Sequence, residues 1–225
     1  MSERKIVIPG EVIVKGGKYL PGEGTEKSGE EIIAQRYGLS EESNNLVKVI
    51  PLSGVYIPRR NNIVIGKVEN VNMSGWFINI GTPENAFLPL AEFPRYVNKN
   101  EIEETMEMGS MVVAKIKEVN KRGIDLSMKG RGFGKIEDGL IVKVNPNKVP
   151  RVIGKEGSMI NLIKNETGCD IVVGQNGFVK ISGDGIESEL LAKKAIQFIT
   201  EKSFINGLTD EMNKWFEKEK GGKKK

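Results

Sequence analysis

Between Arg151 and Gly168 the chain reads R-V-I-G-K-E-G-S-M-I-N-L-I-K-N-E-T-G, its stretch of clearest chemical content. Gly154-Lys155-Glu156-Gly157 stands there between two segments of helical spacing. Glycines where two helix ends meet let backbone amides approach a phosphate closely, because neither carries a Cβ. Lys155 adds a cation at the same point. A bare Gly-x-x-Gly is usually only a turn, but here Ile153 precedes it, Ile160 and Ile163 follow, and Thr167-Gly168 closes the helix. Other chemistry is thin. The chain has no histidine, which removes the commonest general base and metal ligand. Its single cysteine, Cys169, excludes an internal disulfide and a cysteine-based zinc site, and suggests a reducing, intracellular compartment. Glu101, Glu103, Glu104 and Glu107 could suggest metal binding, yet Glu103 and Glu107 share a helix face, which is more often a solvated surface. No catalytic residue, metal site or cofactor is expected.

The elements that must position these residues follow from composition and pattern. The 225 residues allow one large domain or two to three small ones. With 27 glycines and only 6% aromatic residues, the chain favours many tight turns, as in small β-barrels. The net charge is +4, and the excess lies in the last third: residues 131–205 carry 11 bases and 9 acids, and residues 206–225 carry 6 and 4. No apolar run approaches the roughly 20 residues of a membrane span. Met1 to Ile8 is too polar for a secretory signal, so a cytoplasmic location without membrane contact is expected.

Residues 1–60 read as short strands broken by glycine and proline: Ile6 to Ile8, Val12 to Val14, and Leu46 to Ile50 before Pro51. They form an N-terminal β domain with no catalytic constellation, suited to structural or protein contact. Residues 61–129 suggest five strands with a longer insert, Asn98 to Gly109, between the third and fourth: a five-stranded OB-type barrel. Gly130 to Gly134 reads as a flexible basic link. Residues 135–205 follow the order β-α-α-β-β-α, with Asn176-Gly177 as a hairpin signal and Leu191, Ala195 and Ile199 along a final helix. Residues 206–225 add one more helix, with Thr209 as candidate N-cap and Met212, Trp215 and Phe216 as its apolar face. A glycine-lysine tail, Gly221 to Lys225, is expected to be disordered. The fold class is therefore multidomain, β plus α/β.

The Arg151–Gly168 pattern, with two strands and a helix after it, resembles the KH domain, in the form with its extra helix at the C-terminus. That resemblance implies binding of single-stranded RNA, with about four nucleotides gripped by the loop. It points to Arg151, Ile153, Gly154, Lys155, Glu156 and Gly157 as RNA-binding residues. The stretches Gly66–Val71, Gly75–Ile80, Ala86–Leu90 and Ile124–Lys129 resemble the S-one RNA-binding domain, an OB-fold. Phe77 falls where that family often stacks a base. Ser74, Pro89 and Asn120 depart from its usual aromatic, histidine and aspartate, so the loop cations Lys121 and Arg122 are expected to contribute more than stacking.

The order of an N-terminal β domain, an S-one domain and a KH domain resembles the exosome RNA-binding cap subunits, over residues 5 to about 205. Val7–Glu11 and Pro51–Pro58 look like that family's N-terminal signature. The resemblance implies a non-catalytic subunit, three copies of which cap a hexameric ring of phosphorolytic RNase-PH-like subunits. The N-terminal domain holds the cap to the ring, and the cap feeds the RNA 3′ end into a central pore for degradation or polyadenylation. It also implies Gly-x-Asn-Gly in the KH loop of eukaryotic relatives; Gly154-Lys155-Glu156-Gly157 departs from that and points to an archaeal source. The alternatives are a ribosome- or translation-associated RNA-binding protein built from the same modules, and a nuclease acting alone.

Overall fold

The computed structural model describes residues 5–202 and 207–221, so the end of the glycine-lysine tail lies outside the described residues. The chain divides into two compact units, Met1–Gly54 and Val55–Lys225.

The first unit is all β. Its strands are β1 (Ile6–Val7), β2 (Val12–Lys15), β3 (Leu20–Pro21), β4 (Thr25–Ser28), β5 (Glu31–Ala34), β6 (Gly38–Ser43) and β7 (Leu46–Pro51). They form two sheets, in the orders β1-β6-β7-β3 and β2-β5-β4. The β6–β7 hairpin turns on Asn44 and Asn45, both at positive φ (49° and 63°). That is the two-residue geometry that matches the strand twist, and asparagine tolerates it. Val7, Ala34 and Val49 form a small buried cluster with Ile13 packed against it, and Ile32 and Val47 are also fully buried.

The second unit begins with the barrel strands β8 (Ile63–Asn72), β9 (Gly75–Asn79), β10 (Ala86–Pro89), β11 (Met111–Asn120) and β12 (Gly123–Ser127). The neighbour order is β12-β10-β9-β8-β11, and β11 pairs with β12 to close five strands into a barrel. Bulges in β8, between Val68 and Asn70, and in β11, between Ile116 and Glu118, supply the bends that closure needs. The insert between β10 and β11 folds into 3-10 turns and one short helix, α1 (Ile102–Thr105). Ile102 and Met106 join the barrel core, where the Trp76 Nε1–H donates to the Met106 carbonyl at 3.0 Å. Residues ahead of β8 belong with the barrel: Tyr56 packs against its core and its hydroxyl bonds Asn62 at 2.8 Å.

The structure departs from the sequence reading at the expected link. Gly134–Ile136 is a strand, β13, paired with Met111–Val113 of β11. The free edge of β11 beyond its pairing with β12 offers unpaired backbone groups, and a short glycine-rich segment can satisfy them.

The remaining elements are β14 (Leu140–Lys143), α2 (Val149–Ile153), α3 (Ser158–Thr167), β15 (Asp170–Val173), β16 (Phe178–Ser182), α4 (Ile186–Glu201) and α5 (Leu208–Gly221). The antiparallel sheet β14-β16-β15 and its helices enclose one core that includes Val152, Ile163, Val179, Ile181 and Ile196. The helix α5 is part of that core: Leu208, Met212 and Phe216 are buried, and Trp215 stacks on Phe198 with ring centroids 5.6 Å apart. Thr209 is not its N-cap. The helix starts at Leu208, two residues before the start that a Thr209 cap implies, and the Gly207 carbonyl accepts from the Asp210 N–H at 3.0 Å.

Barrel and KH-like fold meet at the β15–β16 turn. The Gln175 N–H donates to the Ile63 carbonyl at 2.8 Å, and the Ile63 N–H donates to Gln175 Oε1 at 2.6 Å. Asn176, only 3% exposed, accepts from the Ile65 N–H at 3.2 Å. Its Nδ2 donates to the carbonyls of Ile65 at 2.7 Å and Ile80 at 2.8 Å.

Because Phe216 is 2% exposed within this core, Phe216→Ala is expected to destabilise the second unit by about 3–5 kcal/mol. Urea denaturation, followed by Trp215 and Trp76 fluorescence, measures this; a loss below about 1 kcal/mol would make α5 peripheral.

Candidate nucleic-acid interface

The helix α2 is stopped by geometry at Gly154. That residue has φ 76° and ψ 174°, and its N–H still bonds the Pro150 carbonyl at 2.9 Å. A Cβ there would lie 2.6 Å from the Met159 nitrogen and 2.8 Å from its Cβ, so the chain passes itself too closely for any side chain. Gly157 is constrained differently: its φ is 81°, but a Cβ would meet nothing nearer than 3.5 Å. Between them Glu156 adopts φ 53° and ψ 26°, a left-handed conformation that costs a non-glycine residue about 1 kcal/mol. Strained backbone of this kind concentrates at ligand clamps.

The loop is held from both sides. Val152 on α2 is buried, as are Met159 and Ile163 on α3. Helix α3 begins at Ser158 without a side-chain cap, so its first N–H groups and positive dipole end adjoin the loop. Lys155 and Glu156 are exposed. Arg151, on the last turn of α2, is exposed as well, so two cations and a helix N-terminus border one turn. Ile153 is half-buried against the core, which gives it a packing role alongside any ligand contact.

The barrel residues form a second group. Phe77 on β9 stands opposite Phe87 on β10, and the two rings lie 5.1 Å apart. Both point out of the barrel, since Trp76 and Ile78 fill its core. Their row continues to Asn70 on one side and Asp125 on the other. Nearby, the Glu69 carboxylate accepts from Asn79 Nδ2 at 2.7 Å and Asn85 Nδ2 at 2.9 Å, which holds its pKa below the usual carboxylate range. This face therefore offers aromatic surface beside fixed negative charge, an arrangement that suits bases better than phosphates. Lys121 and Arg122 lie in the β11–β12 turn, where the Arg122 N–H donates to Asn120 Oδ1 at 2.8 Å. Asn120 thus orders that turn with the side-chain oxygen an aspartate would have used. Met73, in the β8–β9 turn, is 77% exposed.

The sequence reading missed two things. Phe87 is the partner of Phe77, legible only once strands are paired. Asn176 was read only as part of the Asn176-Gly177 hairpin signal and Gln175 not at all, although Gly174-Gln175-Asn176-Gly177 is itself a Gly-x-Asn-Gly, placed in the β15–β16 turn rather than between helices. Among the described residues no three His, Cys, Asp or Glu side chains gather to hold a metal ion, and no helix is long and apolar enough to cross a membrane.

Residues 139–198 match the KH domain family, and residues 56–129 match the S1 domain of exosome complex component RRP40. Over 212 residues the chain is 39% identical to exosome complex component Rrp4 of Methanothermobacter thermautotrophicus, covering 93% of this chain and 67% of the relative. It is 38% identical over 221 residues to the Rrp4 of Nitrosopumilus maritimus, covering 96% of this chain and 97% of that one. A crystal structure assigned to an exosome complex RNA-binding protein aligns with TM-score 0.68 and 32% identity, over 76% of this chain and 100% of its own.

Gly154→Ala puts a methyl group into the Met159 backbone, whereas Gly157→Ala meets only the φ penalty. Thermal melts are expected to show Gly154→Ala as the more destabilised by at least about 1 kcal/mol; equal losses would mean the loop relaxes freely.

Proposed function

Since this chain belongs to the Rrp4 family of exosome complex components, we propose that it binds single-stranded RNA and delivers it to the exosome without cutting it. The observation that carries this reading is the loop Gly154–Gly157: a strained turn with no room for a side chain at Gly154, bordered by Arg151, Lys155 and the N-terminus of α3. Such a loop holds phosphates with backbone N–H groups and cations, independently of base identity. The barrel adds the Phe77–Phe87 pair for base stacking and Lys121 and Arg122 for the backbone.

In this reading the chain is one of three cap subunits on a hexameric, RNase-PH-like ring in the cytoplasm. The N-terminal unit docks to the ring, and the second unit guides a 3′ end to the catalytic subunits. The absence of histidine from the sequence supports a division of labour in which the ring supplies the chemistry. RNA shortened by the purified chain alone would overturn it.

Replacing Lys155 and Glu156 with aspartates keeps both glycines and puts negative charge where a phosphate would lie. The double variant is expected to bind single-stranded RNA more weakly with little change in Tm. Its salt dependence should flatten by about 0.7 in log K against log salt for each lost phosphate contact. Binding of unchanged strength and slope would leave Gly154–Gly157 as a connection only.

Deleting residues 1–54, the whole first unit, is expected to abolish co-elution with the ring while RNA binding persists. Full-stoichiometry co-elution of the truncated chain would refute that docking role.

A further inference from the structure

Two rows of side chains cross the outer face of the barrel. In the first, Asn70, Phe77, Phe87 and Asp125 stand side by side on neighbouring strands. In the second, Lys67 is paired with Asn79, and Asn85 directly precedes β10. Side chains two residues apart on a strand lie about 7 Å apart, so Asn79 and Asn85 stand at that spacing from the two rings. Glu69 sits in the bulge of β8 between the rows. Its carboxylate accepts from Asn79 Nδ2 through Oε1 at 2.7 Å and from Asn85 Nδ2 through Oε2 at 2.9 Å.

That carboxylate is oriented from behind. Asn79 is fixed at its other end, because its Oδ1 accepts from the Gly81 N–H at 2.8 Å. Thr82 Oγ1 donates to the Glu84 carbonyl at 2.7 Å and closes the connection that presents Asn85. The plain use of these bonds is to brace the β9–β10 connection, but bracing occupies only two of the roughly four lone-pair sites of an ionised carboxylate. Glu69 is exposed, so its other sites stay open to solvent beside the aromatic pair. The bonds from Asn79 and Asn85 also favour the ionised form, which accepts hydrogen bonds and donates none.

A base stacked on Phe77 and Phe87 therefore meets a fixed acceptor at its edge, and the four RNA bases differ there. Guanine presents its N1–H and N2 amino group side by side, two donors for the two oxygens of one carboxylate. Adenine and cytosine present one amino group next to an unprotonated ring nitrogen, whose lone pair would face the second oxygen. Uracil presents one N–H between two carbonyls. Asp125, on the far side of Phe87, adds negative charge, which turns phosphates away from this face and base edges towards it.

We infer that the barrel reads one base of the bound strand, and that Glu69, held by Asn79 and Asn85, selects guanine there by accepting from its N1–H and N2 amino group. This rests on the RNA-binding reading above and adds a base preference to it.

The test measures binding of oligo(A) strands of about 12 nucleotides, each carrying one central guanosine, inosine or uridine, to the full chain and to Glu69→Gln. Inosine keeps the N1–H and O6 of guanosine and lacks only the amino group. The full chain is expected to bind the guanosine strand about tenfold more tightly than the other two. Glu69→Gln, which exchanges one acceptor oxygen for a donor, is expected to bind all three alike. A full chain without guanosine preference, or a preference that survives in Glu69→Gln, would overturn the inference while leaving the proposed function standing. A full chain that binds none of the strands would overturn both. Should Glu69→Gln fail to fold, Asn85→Ala, which removes one of the two bonds orienting Glu69, takes its place, and an unchanged guanosine-to-inosine ratio there would overturn the inference.

Discussion

The carboxamide of Asn176 holds three backbone groups of a barrel to which it does not belong in sequence, at 2.7–3.2 Å and almost wholly out of water. The arrangement of the second unit depends on that contact. Each of those groups would cost about 1–3 kcal/mol if left buried and unpaired, so truncation of one side chain leaves several unsatisfied at once. The outward faces of Ile65 and Val113 are buried as well, at 0% and 4% exposure, although neither belongs to the barrel core cluster. Barrel and KH domain are therefore joined by an interface whose polar centre is set by directional hydrogen bonds, which permit one register and resist sliding.

The KH loop illustrates the opposite use of backbone geometry. Glu156 is held in a left-handed conformation and Gly154 in a space that admits no side chain. Neither would persist in an isolated peptide. Both persist because α2 and α3 are anchored on either side by Val152, Met159 and Ile163, and α4 and α5 complete the same core. Packing at the back of the domain offsets the strain at its front.

Charge is distributed consistently with a division between backbone and base contact. The exposed cations Arg151 and Lys155 border the KH loop, and Lys121 and Arg122 occupy a barrel turn. The Phe77–Phe87 surface instead lies beside Asp125 and a Glu69 carboxylate whose pKa is lowered by hydrogen bonds from two asparagine amides. That charge pattern is the basis on which the proposed reading assigns phosphates to the loops and stacked bases to the sheet.

Strand alternation, glycine punctuation and helical spacing were enough to read from the sequence an all-β start, a five-stranded barrel and a β-α-α-β-β-α domain, because these are local regularities of period and turn chemistry. The Gly154–Gly157 loop was legible for the same reason: glycine spacing and the helices on either side are neighbours along the chain. Tertiary structure alone decided the rest. Gly134 read as the end of a link and Lys135 and Ile136 as the start of the next domain, because a three-residue strand has too short a pattern to announce itself, and its partner edge on β11 lies more than twenty residues away. Phe87 became the partner of Phe77 only through strand register. Asn176 read as half of a hairpin turn because its hydrogen-bond partners, Ile65 and Ile80, lie about a hundred residues earlier. A side chain's local role is written in its neighbours in sequence, but a long-range backbone contact leaves no periodic trace, and it exists only when the two folded surfaces meet.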